Sequence, residues 1–186
     1  MFPRQCPMNK KNLLIIFSLL VFPVSALGQD CKTFSYDRWK AKLSFCAPSE
    51  WESFVGTIDV EFSVLALKIP EKFTKYSSLS LYEKPGLKTA GDCHKFFLTN
   101  VVQGLAAQLN YQDIKSDDPV DFKTDAGIVG ARSVITYTAS DTKPKMVIYG
   151  FQLDDIVQCY ILDTRQSDTD SEKSVDKALK TLKLYK

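Results

Sequence analysis

Ala90-Gly91-Asp92-Cys93-His94-Lys95-Phe96-Phe97-Leu98-Thr99-Asn100-Val101-Val102-Gln103-Gly104-Leu105-Ala106-Ala107-Gln108-Leu109 departs in period from the segments on either side of it. Its apolar residues recur as Cys93, Phe97, Val101 and Leu105, joined by Leu98, Val102 and Leu109. That is helical spacing with a broad apolar face, and it predicts one long helix over 90–109. Thr89, three residues before Asp92, is expected to cap its start, and Asn110 suits its end. Gly104 costs about 1 kcal/mol against Ala in a helix, so it is expected to allow close packing on a sheet.

The flanking segments read as strands. Lys42 to Ala47 ends at Pro48, Ile58 to Leu67 stops before Pro70, and Leu79 to Glu83 ends at Pro85-Gly86. After Asn110 come Tyr111 to Lys115, Val120 to Lys123, and the Val-, Ile- and Thr-rich alternation of Ala131 to Ala139. Met146 to Leu153 and Ile156 to Asp163 flank Asp154-Asp155, a hairpin signal. A second helix is predicted near the end. Val175, Ala178, Leu179 and Leu182 form one stripe behind a capping box at Thr169-Asp170-Ser171-Glu172, with Lys180, Lys183 and Lys186 where the helix dipole favours cations. Strands, a long helix, meandering strands and a terminal helix make an α+β chain, an antiparallel sheet covered by helices.

The N-terminal 28 residues carry Arg4, Lys10 and Lys11, no acidic residue, and an apolar run from Leu13 to Leu27. Small residues Ser25, Ala26 and Gly28 follow, so residues 1–28 read as a secretory signal peptide and 29–186 as a single exported domain. Cleavage fits after Ala26 or after Gly28, and Met8 offers an alternative start to Met1. A run of about 15 residues interrupted by Pro23 is short of the roughly 20 that a spanning helix needs, so no stable membrane span is expected after cleavage. Cys31 follows Asp30 rather than a small residue, which argues against lipid anchoring. The full chain has a net charge of +2. Removing Arg4, Lys10 and Lys11 from its 24 basic residues leaves 21 against 22 acidic ones, hence −1. Both signs are interspersed without a basic stripe, and no nucleic-acid partner is expected.

Cys6 falls in the leader, leaving Cys31, Cys46, Cys93 and Cys159. An even, widely spaced set in an exported chain reads as two structural disulfides; zinc would need close ligand pairs, and redox catalysis Cys-x-x-Cys. Of three possible connectivities, one has a geometric basis. A hairpin from Lys32–Tyr36 to Lys40–Phe45, centred on Arg38-Trp39, would place Cys31 opposite Cys46. Cross-strand Cβ atoms about 4.5–5.5 Å apart are close enough to bond after small adjustment. Cys93 would then pair with Cys159.

Catalytic patterns are sparse. His94 is the single histidine and falls on the apolar helical face, where packing at the core edge is expected. No Gly-x-Ser-x-Gly elbow accompanies it, and Cys93, its neighbour, points about 100° away on the helix. Asp168 to Glu172 lacks the Gly and Glu that a calcium loop needs at its sixth and twelfth positions, where Lys173 and Leu179 stand. Asp117-Asp118 and Asp154-Asp155 read as turns. No phosphate loop or metal motif is present, so no cofactor, metal or catalytic residue is assigned.

Lys42-Leu43-Ser44-Phe45-Cys46-Ala47-Pro48-Ser49-Glu50-Trp51 resembles the strand–Pro–x–x–Trp opening of the PsbP-like fold family, with Glu50 where that family usually has Gly. The later elements follow in compatible order from about Lys40 to Lys183. The resemblance implies an α/β/α sandwich around an antiparallel sheet. Such proteins are mostly non-enzymatic: extrinsic photosystem subunits, nuclear-import cofactors or exported bacterial proteins. It supplies no catalytic residues to carry over. The expectation is a periplasmic or secreted, non-catalytic binding or accessory protein with an unspecified protein or small-molecule partner. The alternative is an exported hydrolase using His94 or a carboxylate pair.

Overall fold

The structure, a computed structural model, describes residues 31–36, 39–59, 62–69 and 77–186. The leader and its cleavage frame lie outside the described residues. In chain order the elements are β1 (Cys31–Tyr36), β2 (Lys42–Pro48), β3 (Glu52–Asp59), β4 (Phe62–Ile69) and β5 (Ser77–Glu83), then the first helical stretch. That stretch is α1 (Asp92–Phe96), a π-helical segment (Phe97–Gln103) and α2 (Gly104–Leu109). There follow β6 (Tyr111–Ser116), β7 (Val120–Lys123), β8 (Val129–Ala139), β9 (Pro144–Leu153), β10 (Ile156–Arg165), α3 (Thr169–Lys180) and β11 (Lys183–Tyr185).

Eight strands form one antiparallel sheet in the order β3-β4-β5-β10-β9-β8-β6, with β7 sharing the β8 edge that β6 leaves open. A second sheet has the order β1-β2-β11. The period of two in β9 and β10 divides the core. Val147, Tyr149, Phe151, Tyr160 and Leu162 face α3 and β2, where Leu43, Phe45, Trp51, Val175, Ala178 and Leu179 complete one cluster. Met146, Ile148, Val157, Cys159 and Ile161 face the first helical stretch and pack on Cys93, Phe97 and Val102. Both faces of the sheet are therefore covered, as expected for an α+β chain with an antiparallel sheet between helices. Trp51 is buried behind the turn that its N–H closes onto the Pro48 carbonyl at 3.1 Å.

Several boundaries differ from the sequence expectation. The apolar run near Ile58 to Leu67 is not one strand; it divides into β3 and β4, which pair with Asp59 opposite Phe62. In the β1–β2 hairpin Cys31 lies opposite Pro48, and Cys46 opposite Thr33, two residues out of the expected register. The reason lies in the connection. Trp39 is buried in the core, and the Lys40 and Ala41 N–H groups donate to the two Glu83 carboxylate oxygens at 3.2 Å each. Residues 39–41 are drawn onto the sheet instead of forming a tight turn.

At the far end, α3 stops at Lys180 and the last residues form β11 against β2, not further helix. The cap of α3 is Asp168, one residue before the expected box, accepting from the Ser171 N–H at 3.0 Å. Glu172 is thereby released from capping and pairs with Arg132 and Lys145.

Candidate functional site

The first helical stretch is where the chain concentrates its irregular chemistry. Its N-terminal end is fixed twice. Cys93 and Cys159 are joined by a disulfide with Cα atoms 5.6 Å apart, both cysteines fully buried. Beside that bond the Ala90 backbone lies flat on β9: a Cβ on Gly150 would stand 1.9 Å from the Ala90 carbonyl oxygen. Only glycine allows that approach, and Gly150 is the residue opposite Cys159 on β10. Thr89 does not cap the helix as expected. The cap works in reverse, since Asp92 Oδ2 accepts from the Lys88 and Thr89 N–H groups at 2.9 and 2.8 Å. Those two bonds hold the Asp92 carboxyl below the usual carboxylate range and tie down the preceding loop.

Beyond Phe96 the helix widens into seven π-helical residues before returning to α at Gly104. Gly104 is exposed at that junction, not packed on the sheet as its composition suggested. Asn110 ends the stretch in the left-handed conformation, φ 53°, as its residue type favours. π-Helical turns are rare and are found often at functional sites.

Two features open beside this helix. On the side of β6 and β8, His94 is half-buried, with Nδ1 2.7 Å from Ser133 Oγ and Nε2 2.9 Å from Ser116 Oγ. Burial lowers the imidazole pKa; Asp118 and Asp117 nearby oppose that shift without overcoming it. On another side, the loop Gly86–Lys88 and the helix residues Asp92, Lys95, Phe96, Thr99 and Asn100 enclose a groove of about 410 Å³. Phe96 packs edge-to-face on Phe97, and Lys84 Nζ sits 5.1 Å from the Phe96 ring centre.

No protein-family model matches the chain, and no curated protein matches its sequence. Solved structures do match its shape. The solution structure of cyanobacterial PsbP (CyanoP) from Synechocystis sp. superposes with a TM-score of 0.57 at 17% identity, covering 83% of this chain and 92% of that one. The fold is PsbP-like. A Bacteroides thetaiotaomicron protein (TM-score 0.46, 13% identity, 77% of this chain and 45% of that one) also matches. So does a Pseudomonas aeruginosa protein of unknown function (0.41, 14%, 78% and 91%).

Within the PsbP-like frame the residues singled out by sequence disperse. Cys93 and Cys159 meet; Cys46 is disulfide-bonded too, with its partner outside the described side chains. Asp154 and Asp155 form the two-residue turn between β9 and β10, Asp154 at φ 55°, and Lys186 pairs with Asp154. Both carboxylates are exposed to solvent. Asp168 and Glu172 are committed to the α3 cap and to Arg132 and Lys145. Among the described residues no group of three or more His, Cys, Asp or Glu side chains is placed to hold a metal ion, and no helix is long and apolar enough to cross a membrane.

His94 was expected to pack at the core edge; it does so through two serine hydroxyls that no spacing rule would have linked to it. Sequence reading also missed Asp163. Burial on the first-helix side of β10 pushes its carboxyl up to about 7. Its place in an apolar alternation, Val157, Cys159, Ile161, Asp163, was the available signal.

Proposed function

We propose that this chain is an extracytoplasmic binding or accessory protein without catalytic activity, exported by a cleaved leader and matured from Gln29. The arrangement of His94 carries the reading. Both ring nitrogens are engaged by serine hydroxyls, and among the described residues no carboxylate is hydrogen-bonded to the ring to orient it or to stabilise an imidazolium. The buried Cys93–Cys159 bond supports an oxidising compartment. A second staple, Cys31–Cys46, completes the proposal: on β1 and β2 those residues stand diagonally across the ladder, two residues from direct opposition.

The specific contact that favours a hydrolase is Ser116 Oγ at 2.9 Å from His94 Nε2. A fluorophosphonate probe separates the two readings. The oxidised, mature protein is expected to remain unlabelled; covalent labelling at Ser116, abolished by His94→Gln, would overturn the non-catalytic reading. Export is checked by N-terminal sequencing of protein recovered outside the cytoplasm. A first residue near Gln29 is expected, and an intact Met1 or Met8 start argues against it. Non-reducing peptide mapping that joined Cys46 to any residue other than Cys31 would remove the second staple.

A further inference from the structure

We infer that the groove between the Gly86–Lys88 loop and the first helical stretch is a binding site for a small organic anion with a flat apolar body. The inference deepens the binding-protein reading and rests on it. Three observations converge on one place. The first is shape: about 410 Å³ lies within the range of small-ligand sites. Leu87 and Phe96 give it apolar walls, and Thr99 and Asn100 give it polar edges.

The second is charge. Lys88 and Lys95 line the groove, are exposed, and make no ion pair within 4 Å among the described residues. Lys84 lies outside that lining, its Nζ 5.1 Å from the Phe96 ring centre. The one carboxylate in the lining, Asp92, already accepts two backbone N–H bonds, so its charge is directed into the loop. Net positive potential beside an aromatic wall complements an anionic head on an apolar body; a neutral ligand would forgo half of that match.

The third is backbone. Thr99 and Asn100 belong to the π segment and follow Lys95 and Phe96 by four residues on the groove side of the helix. Asn100 Nδ2 donates to the Phe96 carbonyl at 3.0 Å, which fixes that side of the groove. A seven-residue π-helix departs from the preferred α geometry where Thr99 and Asn100 join this wall, and nowhere else among the described residues.

The test is an amide-resonance titration of the oxidised protein with 2-naphthoate, with 2-naphthamide as neutral counterpart and acetate as head group alone. Saturable shifts confined to residues 86–88 and 92–100 are expected with 2-naphthoate, 2-naphthamide binding about fivefold more weakly and acetate showing no saturation below ~10 mM. The Lys88→Gln/Lys95→Gln variant should weaken 2-naphthoate about tenfold and leave 2-naphthamide unchanged. Both lysines are exposed, so its thermal midpoint should match the parent's. Equal affinity for the acid and the amide, shifts centred elsewhere, no saturation, or an unaffected double variant would each overturn the inference. An unlabelled Ser116 alongside an unresponsive groove sinks the groove alone; a labelled Ser116 sinks the reading beneath it.

Discussion

On the α3 side, the large sheet is closed by a regular helix that buries Val175, Ala178 and Leu179 and is locked by ions. Arg132 bridges Glu172 and Asp176, Lys145 Nζ reaches Glu172 at 2.5 Å, and Tyr149 donates to Asp176 at 2.7 Å. On the opposite side the cover is α, then π, then α; Phe97 and Val102 pack on the sheet there too, but no ion pair among the described residues locks it, and its first turn is fixed by a covalent bond and a glycine contact. The comparison separates two ways of fastening a helix to a sheet. Distributed packing requires helical regularity, because every turn must return the same stripe to the core. A staple at one end does not, and it leaves the exposed side of the helix open to irregular geometry.

The sharpest way to break this contrast is to remove the staple. Cys93→Ser/Cys159→Ser frees a loop spanning 66 residues, and loop-closure entropy sets the expected loss at about 4 kcal/mol in urea unfolding. A loss smaller than that of an α3 ion-pair variant would show that the first helical stretch is held by packing after all.

Next in size is Asp163→Asn. The carboxyl titrates near 7 when folded against an ordinary unfolded value near 3.9. The unfolded chain therefore loses its proton first, and this group's stability contribution falls as pH rises between about 4 and 7. The asparagine variant should match the parent at pH 4 and exceed it at pH 8 by at most about 4 kcal/mol. A constant difference across that range would remove the buried acid from this face.

Glu172→Gln on the α3 side weakens contacts to Arg132 and Lys145 together. A loss of about 2 kcal/mol at neutral pH is expected for these half-buried pairs. Smallest is Asp168→Ala, which removes the α3 cap and should cost about 1 kcal/mol. If either matched the disulfide variant, α3 would depend on single contacts rather than on its whole stripe.

Periodicity carried most of the architecture into view. The strands after Asn110, the α3 stripe and the first helix all lie within a few residues of where their apolar spacing put them, because those patterns are enforced by burial on one face. What escaped were features whose partners are remote in sequence. The π segment has the same apolar spacing as an α-helix, and nothing in Phe97–Gln103 distinguishes them. Ser116 and Ser133 reach His94 only because β6 and β8 pair beside the helix. The β1–β2 register depended on Glu83, more than forty residues away, capturing the Lys40 and Ala41 N–H groups. The groove is written partly in the sequence, as Lys88, Lys95 and Phe96, but charges and aromatics at those spacings become a site only once the Gly86–Lys88 loop is tied to Asp92.

The pairing of β11 with β2 has a consequence in time. The Cys46 N–H is satisfied by Thr181 Oγ1 at 2.7 Å, across 135 residues, and Leu43 is flanked by Leu184. Those partners lie 135 or more residues further along the chain than Cys46, so the small sheet cannot close until that much more polypeptide has been made. Closure of the small sheet is thereby a long-range event, and loss of β11 would leave β2 open on the edge away from β1.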